Sequence, residues 1–223
     1  MIVLVCLEPP RPGRSAKAAD LLARKLAAAA KTVAVSAGRG PDCESLAWAL
    51  GRRSFQRIIH LDDRSLDKAD FMTVATVLSE VARQIHADVV ITGEHSDSEG
   101  QGLVPAALAH QLQAPFVARV QDARWSGPGH LEVTVPAAGR LCTVGCSSFP
   151  VVISTGPSRS DDGAPDAHSP ASSVETLSLA QMTLDPSRLV PRPELLGTSV
   201  AIPAEPPPQM TPAQAARFIL RRQ

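Results

Sequence analysis

Short Val/Ile-rich runs alternate with longer, alanine-rich amphipathic stretches through the first half of the chain. No other feature restricts the fold as much. Ile2-Val3-Leu4-Val5-Cys6-Leu7 is apolar at every position, and a strand buried on both faces reads as such a continuous run, whereas a half-buried one alternates. Residues 15–30 follow, with Leu21, Leu22 and Leu26 on one side and Lys17 and Arg24 away from it, which predicts a helix. Thr32–Ser36 predicts a second strand, ending at Gly38-Arg39-Gly40-Pro41. Asp42 is placed to cap a helix through Leu46, Trp48, Ala49 and Leu50 that stops at Gly51. Arg57–Leu61 predicts strand three. A long helix is expected over Asp67–His86, with Phe71, Val74, Val77, Leu78, Val81 and Ile85 at helical spacing. Asp88–Gly93 predicts strand four, followed by a polar, glycine-containing loop, His95–Gly102, and a helix over Val104–Gln113.

Strand and helix in alternation with short connectors define an α/β fold: a doubly wound, mainly parallel sheet. Such sheets bind ligands at the carboxyl ends of their strands, where the strand order reverses. Here that selects the loops after Leu7 and after Gly93. Beyond Pro115 the pattern changes. Phe116–Val120, Leu131–Val135, Arg140–Val144 and Val151–Ser154 are strand-like, with Gly-Pro turns between the first two. They are expected as antiparallel additions at the edge of the sheet. The organisation expected is an α/β domain over 1–155, a mobile Ser/Asp/Pro/Gly-rich loop over 156–173, and a Pro-rich C-terminal arm over 174–223. Pro191, Pro193, Pro203 and Pro206-Pro207-Pro208 forbid long regular elements in the arm. Thr211-Pro212-Ala213-Gln214 has capping-box spacing and opens a final helix. An arm of this kind suits wrapping a partner subunit better than packing on its own monomer.

Bulk properties exclude several classes. Formal net charge is zero, aromatic residues are 3%, and tyrosine is absent. Nucleic-acid binding therefore has neither a basic field nor stacking platforms. Met1–Leu7 lacks the basic start and cleavage site of a signal peptide, and no run reaches the roughly 18 apolar residues of a membrane span. A cytoplasmic protein without direct membrane insertion is expected. Cys6, Cys43, Cys142 and Cys146 are scattered, and Cys142 and Cys146 have no further ligands to complete a metal site. No internal repeat, Walker loop, nucleophile elbow, zinc-protease helix or dinucleotide fingerprint occurs.

Candidate binding residues cluster at the predicted switch point, and each has two readings. Gly100-Gln101-Gly102 is a phosphate or ribose cradle before a helix N-terminus, or a plain turn. Asp97 and Ser98 bond a ligand or cap the following helix. Cys6 and Leu7, ending strand one, and Ser36 with Ala37, ending strand two, present backbone to a ligand or are sheet core. Glu94 and His95 form an acid–base pair or ordinary surface polarity; with no nucleophile nearby, no catalytic residue is assigned. His60, His86, His110, His130 and His168 read as solvent-facing or structural.

The order of these segments resembles the beta subunit of electron transfer flavoproteins. Met1–Leu7 is similar to that family's opening strand and Ala87–Gly93 to its fourth. His95-Ser-Asp-Ser-Glu-Gly-Gln-Gly102 is similar to its adenine-nucleotide loop, and Leu112-Gln-Ala-Pro115 to the end of the helix after it. Val174–Leu179, Thr183-Leu-Asp-Pro186 and Pro206-Pro-Pro-Gln209 resemble the entry to, and the course of, its C-terminal arm. The resemblance is collinear over nearly the whole chain. It implies an adenine-nucleotide type of α/β fold and a heterodimer with an alpha-type subunit. That partner holds most of the FAD, the beta subunit commonly holds AMP or, in electron-bifurcating members, a second FAD, and the pair takes electrons from a flavin dehydrogenase. The nucleotide contacts it implies are Cys6, Leu7, Ser36, Asp97, Ser98, Gly100, Gln101 and Gly102. The chain also departs from the family. The Asn-Pro-x-Asp segment before the first helix is missing. Glu8 stands where a basic residue is usual, and an acidic, Ser-rich stretch, 158–173, replaces the dehydrogenase-recognition loop. These departures favour the alternative of a structural or regulatory subunit without nucleotide.

Overall fold

The computed structural model describes residues 1–7, 14–37, 49–50, 54–94, 102–156, 173–182 and 184. All belong to one unit, Met1–Arg192. The predicted helices over 42–50 and from 211 lie outside the described residues, apart from Ala49 and Leu50.

Ten strands and three α-helices are present among the described residues: β1 (Ile2–Leu7), α1 (Arg14–Leu26), β2 (Lys31–Ala37), β3 (Arg57–Leu61), α2 (Phe71–Gln84), β4 (Val89–Gly93), α3 (Val104–Leu112), β5 (Phe116–Val117), β6 (Asp122–Gly127), β7 (His130–Ala137), β8 (Arg140–Cys146), β9 (Val151–Thr155) and β10 (Ser173–Leu177). The main sheet has seven strands in the order β10-β3-β2-β1-β4-β9-β5, every pair parallel. The doubly wound α/β class holds. The expected antiparallel additions divide in two. β5 and β9 join the main sheet in parallel, while β6-β7-β8 form a separate antiparallel sheet. The reason is visible in β9: Val151–Thr155 is buried throughout, and a strand covered on both faces belongs inside a parallel sheet. Ser173–Leu177, expected at the start of the arm, pairs with β3 as the outermost strand.

The alternation of side chains along each strand separates two cores. Val3, Val5 and Leu7 face α1 through Ala19, Leu22, Ala23 and Leu26. Leu4 faces α2 and α3 through Val77, Leu78, Val81 and Leu108. Leu21, expected on the buried side of α1, is 39% exposed; the buried stripe runs Ala19–Leu22–Ala23–Leu26, a narrower face set by close packing of alanine on the sheet. Each fully buried leucine in that stripe contributes about 2–3 kcal/mol.

The long helix predicted over Asp67–His86 is broken. A 3₁₀ turn covers Arg64–Lys68, and Asp70 then starts α2 by accepting the Thr73 amide at 2.8 Å. A carboxylate in that position satisfies a donor the helix cannot, so it ends one element and opens the next. Two further polar contacts fix strand ends. Asp88 Oδ2 accepts the Ile2 amide at 2.7 Å, joining the starts of β1 and β4. Asp63 accepts the amides of Ser65 at 3.0 Å and of Leu179 at 3.2 Å, tying the end of β3 to the segment after β10.

The antiparallel sheet packs on the C-terminal half of α1. Trp125 donates its indole N–H to the Leu26 carbonyl at 3.3 Å and lies 6.1 Å from the ring of Phe149. Lys25 pairs with Asp122 at 2.6 Å. Ala138 and Gly139, both at positive φ, make the two-residue turn between β7 and β8, the geometry that matches strand twist.

Candidate functional site

The strand order places the switch point between β1 and β4. From β1 the chain proceeds through α1 to β2 and β3 on one side; β4 lies on the other side of β1 and leads to α3. α1 covers one face and α3 the opposite one. The carboxyl ends of β1 and β4, at Leu7 and Gly93, therefore flank this switch point, the place where folds of this class take their ligands.

Of the predicted contact residues, Cys6, Leu7, Ser36 and Gly102 are described; Asp97, Ser98, Gly100 and Gln101 lie outside the described residues, as do Glu8 and His95. Leu7 and Ser36 are neighbours across β1 and β2, in register, both buried on the α1 side. Cys6 points to the other face, packed against the α2–α3 core. Burial pushes its thiol up to about 12, so it stays protonated and inert at neutral pH.

The same row continues into β3. Ser36 is in register with His60, and His60 is only 2% exposed. Among the described residues neither ring nitrogen of His60 has a hydrogen-bond partner. Of the two readings from sequence, solvent-facing or structural, the burial excludes the first. His86, His110 and His130 are exposed, and His168 is outside the described residues. A buried donor or acceptor left unpaired costs about 1–3 kcal/mol, so His60 fits a site built to receive a polar molecule. Its signal in the sequence is alternation: Ile58–His60 in β3 repeats the inward positions Ala34–Ser36 of β2 and Val5–Leu7 of β1.

The β4–β9 side of the switch point carries a second polar set. Thr155 Oγ1 donates to the Thr92 carbonyl at 3.2 Å, and the Glu94 amide donates to the Thr155 carbonyl at 2.9 Å. Arg119 sits in the left-handed region at φ 61°, rare for a residue with a side chain. The amide of Arg119 donates to Ser154 Oγ at 3.3 Å and that of Val120 to the Ser154 carbonyl at 2.8 Å. The Arg119 guanidinium is 3.7 Å from the Glu94 carboxylate. Glu94 is thus held by an arginine, and the acid–base pairing considered for it with His95 gains no support from the described residues.

α3 begins after Gly102, at φ 62°. Its N-cap is Leu103, which makes no side-chain cap. Pro105 in its first turn has no N–H to offer. Among the described residues no group of three or more His, Cys, Asp or Glu side chains could hold a metal ion, and no helix is long and apolar enough to cross a membrane. Two open surface depressions, one beside Met1 and Lys31 and one beside Arg83 and His110, lie away from this switch point.

The mainly parallel sheet, covered by helices on both faces, defines a doubly wound α/β protein. Residues 16–182 match the electron transfer flavoprotein domain, well over half of the chain, and the protein belongs to that family. That family is one of flavin-associated electron carriers. No curated protein matches the chain individually.

Proposed function

We propose that this chain is the beta-type subunit of an electron transfer flavoprotein, working in the cytoplasm with an alpha-type partner that holds most of the FAD. The pair receives electrons from a flavin dehydrogenase and passes them on. The observation that carries this reading is the family match across residues 16–182, collinear with the beta-type features read in the sequence. FAD, when bound by the pair, supplies the electron-carrying chemistry. This chain's residues bind, orient and exclude water. In this reading AMP occupies the switch point. Leu7 and Ser36 flank the base, His60 and Ser36 offer buried polar atoms, and the start of α3 with Gly102 faces the phosphate. Gly100, Gln101, Asp97 and Ser98 close the site from the preceding loop, and the backbone after Cys6 borders it. With Ser173–Leu177 built into the main sheet as β10, the part of the chain from 185 on then serves as an arm around the partner, and 157–172 as a loop at its surface.

A second reading, a structural or regulatory subunit without nucleotide, is favoured by the carboxylates of Glu8 and Glu94 near the place a phosphate would take, since like charges repel. Both readings are tested by purifying the chain alone and with an alpha-type partner, releasing bound nucleotides and identifying them by mass. FAD plus AMP from the pair supports the first reading. FAD alone places the cofactor in the partner and leaves this chain's own site without nucleotide; no nucleotide in either sample supports the second. A pair without flavin refutes the electron-transfer role.

A further inference from the structure

Arg119 stands where the backbone would suit glycine better. It lies between β5 and β6 at φ 61°, in the left-handed region where a Cβ crowds the following carbonyl and glycine or asparagine is the usual occupant. β9 fixes it there. The Arg119 amide donates to Ser154 Oγ at 3.3 Å, and the next amide, of Val120, donates to the Ser154 carbonyl at 2.8 Å. Ser154 is itself buried, so the anchor belongs to the sheet. On the β4 side of β9, the Glu94 amide donates to the Thr155 carbonyl at 2.9 Å. The residue after β4 and the residue that follows β5 by two are thus pinned to consecutive positions at the end of β9. Their side chains meet there, with Arg119 Nε 3.7 Å from Glu94 Oε1.

That meeting is loose. A charge-assisted hydrogen bond closes to about 2.7–2.9 Å, and among the described residues the guanidinium makes no hydrogen bond at all. The Arg119 side chain is 64% exposed, against 22% for Glu94. An ion pair this open stabilises a fold little, so it does not offset the strained backbone that places the arginine. What the strain secures is a cation at a particular spot. Among the described residues at the carboxyl ends of β4, β9 and β5, positions 92–94, 153–156 and 117–120, Arg119 is the only one. Glu94 directly follows Gly93, which borders the switch point between β1 and β4. The carboxylate therefore holds the guanidinium at the edge of that place. Five N–H donors in a planar fork, with no acceptor among them, match the oxygens of a phosphate.

We propose that Arg119 is an anion-binding residue of the switch point: its guanidinium takes a phosphate group, as a phosphomonoester or a diphosphate, and Glu94 is the tether that keeps it beside β4 until the anion arrives. Where the phosphate is that of AMP, the proposal rests on the nucleotide reading given above and adds to it the cation that meets the charge. It also changes the part Glu94 plays. A carboxylate paired with Arg119 presents an incoming anion with a near-neutral pair and not with a bare negative charge. On binding, the guanidinium exchanges one loose contact for two parallel N–H···O bonds, the geometry that makes arginine–phosphate pairs strong.

The test is calorimetric titration of the full chain, freed of bound nucleotide, with AMP, with adenosine and with inorganic pyrophosphate. Arg119→Asn is the main variant. Asparagine accepts the left-handed backbone, so the fold survives the change, which thermal unfolding verifies. The expected result is AMP binding weakened at least about tenfold, the loss of one charge-assisted contact, with adenosine binding unchanged. The decline of AMP affinity with added salt should become shallower in the variant. Glu94→Gln, which releases the guanidinium from its tether, should tighten AMP. Equal AMP affinity in wild type and Arg119→Asn overturns the proposal and leaves the nucleotide reading standing. Equal losses of AMP and adenosine also overturn it, because Arg119 would then act on the scaffold and not on the phosphate. Pyrophosphate bound through Arg119 by a chain that does not bind AMP upholds the proposal and refutes the nucleotide reading. A wild type that binds none of the three overturns both.

Discussion

Replacing His60 by leucine should stabilise the ligand-free protein and weaken its hold on nucleotide. The imidazole is buried beside Ser36 and, among the described residues, neither nitrogen has a partner. In the neutral ring one nitrogen is a donor and the other an acceptor. Each buried, unsatisfied group costs about 1–3 kcal/mol, and apolar replacement of similar shape removes that penalty. Leucine is close to histidine in volume and suits a strand core. Two such groups cost about 2–6 kcal/mol together; imperfect repacking, which typically costs under about 1.5 kcal/mol for volume-conserving changes, leaves a net gain of at least about 0.5 kcal/mol. For a chain of this size each kcal/mol moves Tm by about 2–4 °C. The assay is thermal and urea unfolding of the free chain, repeated with AMP. Wild type should gain stability from AMP by mass action, and His60→Leu should gain markedly less. If His60→Leu were less stable than wild type by 1 kcal/mol or more, the imidazole would already have a polar partner within the protein, and the reasoning would fail. If both proteins gained equally from AMP, His60 would have no part in holding it.

Four smaller tests address the scaffold. Ala138→Asn, in the β7–β8 turn where Ala138 has φ 48°, should raise stability by about 0.5–1 kcal/mol in urea unfolding, because asparagine before glycine suits that turn and alanine does not. Trp125→Ala should cost about 3 kcal/mol or somewhat less, since the ring is partly buried, and hydrogen exchange should rise in β6–β8 before it rises in the main sheet. At pH 7.5 and low protein concentration a maleimide should label the exposed Cys142 ahead of Cys6 and Cys146, whose thiols burial pushes up; peptide mass mapping reads the order. Asp63 has its pKa lowered chiefly by the Ser65 backbone and side-chain hydrogen bonds, with Leu179 adding to them. A depressed carboxylate stabilises the fold above its unfolded pKa and loses that contribution as pH falls through the folded value. The stability gap between wild type and Asp63→Asn should therefore be constant near neutrality and close below about pH 4.

The main sheet was legible because its strands are buried on both faces and its helices carry a 3.6-residue stripe. Strand three, Arg57–Leu61, was placed to the residue, and β1, β2, β4 and α3 within a residue or so of their ends. What escaped was decided by partners distant in sequence. Asp70 reads like any surface acid inside the long amphipathic run, yet its bond to the Thr73 amide splits that run. β6 was missed because Ala123-Arg124-Trp125-Ser126 is strand-like only once β7 lies beside it. β10 was missed because Val174–Leu177 is a two-sided, half-exposed segment whose only claim to strand geometry is its register with β3.

The switch point shows the same division. Its position follows from strand order, which the alternation of elements nearly dictates; that Leu7 and Ser36 stand side by side comes only from the register of β1 and β2. Its chemistry depends on which polar side chains point inward, and that is a question of phase. One residue of slip in β3 would turn His60 outward and bring Leu61 into its place. In register, β3 carries Ile58 beside Ala34 and His60 beside Ser36. A sheet row that is aliphatic over its lower half therefore turns polar in its last layer, under the loops. A hydrophobic core gains nothing from a histidine and a serine there. A valine in place of His60 would pack as well and leave no polar ring in the core. Retaining an unpartnered imidazole at that depth is explicable if something polar arrives to meet it. The row Leu7–Ser36–His60, more than any glycine in the loop beyond Gly93, is where occupancy of the site should be measured.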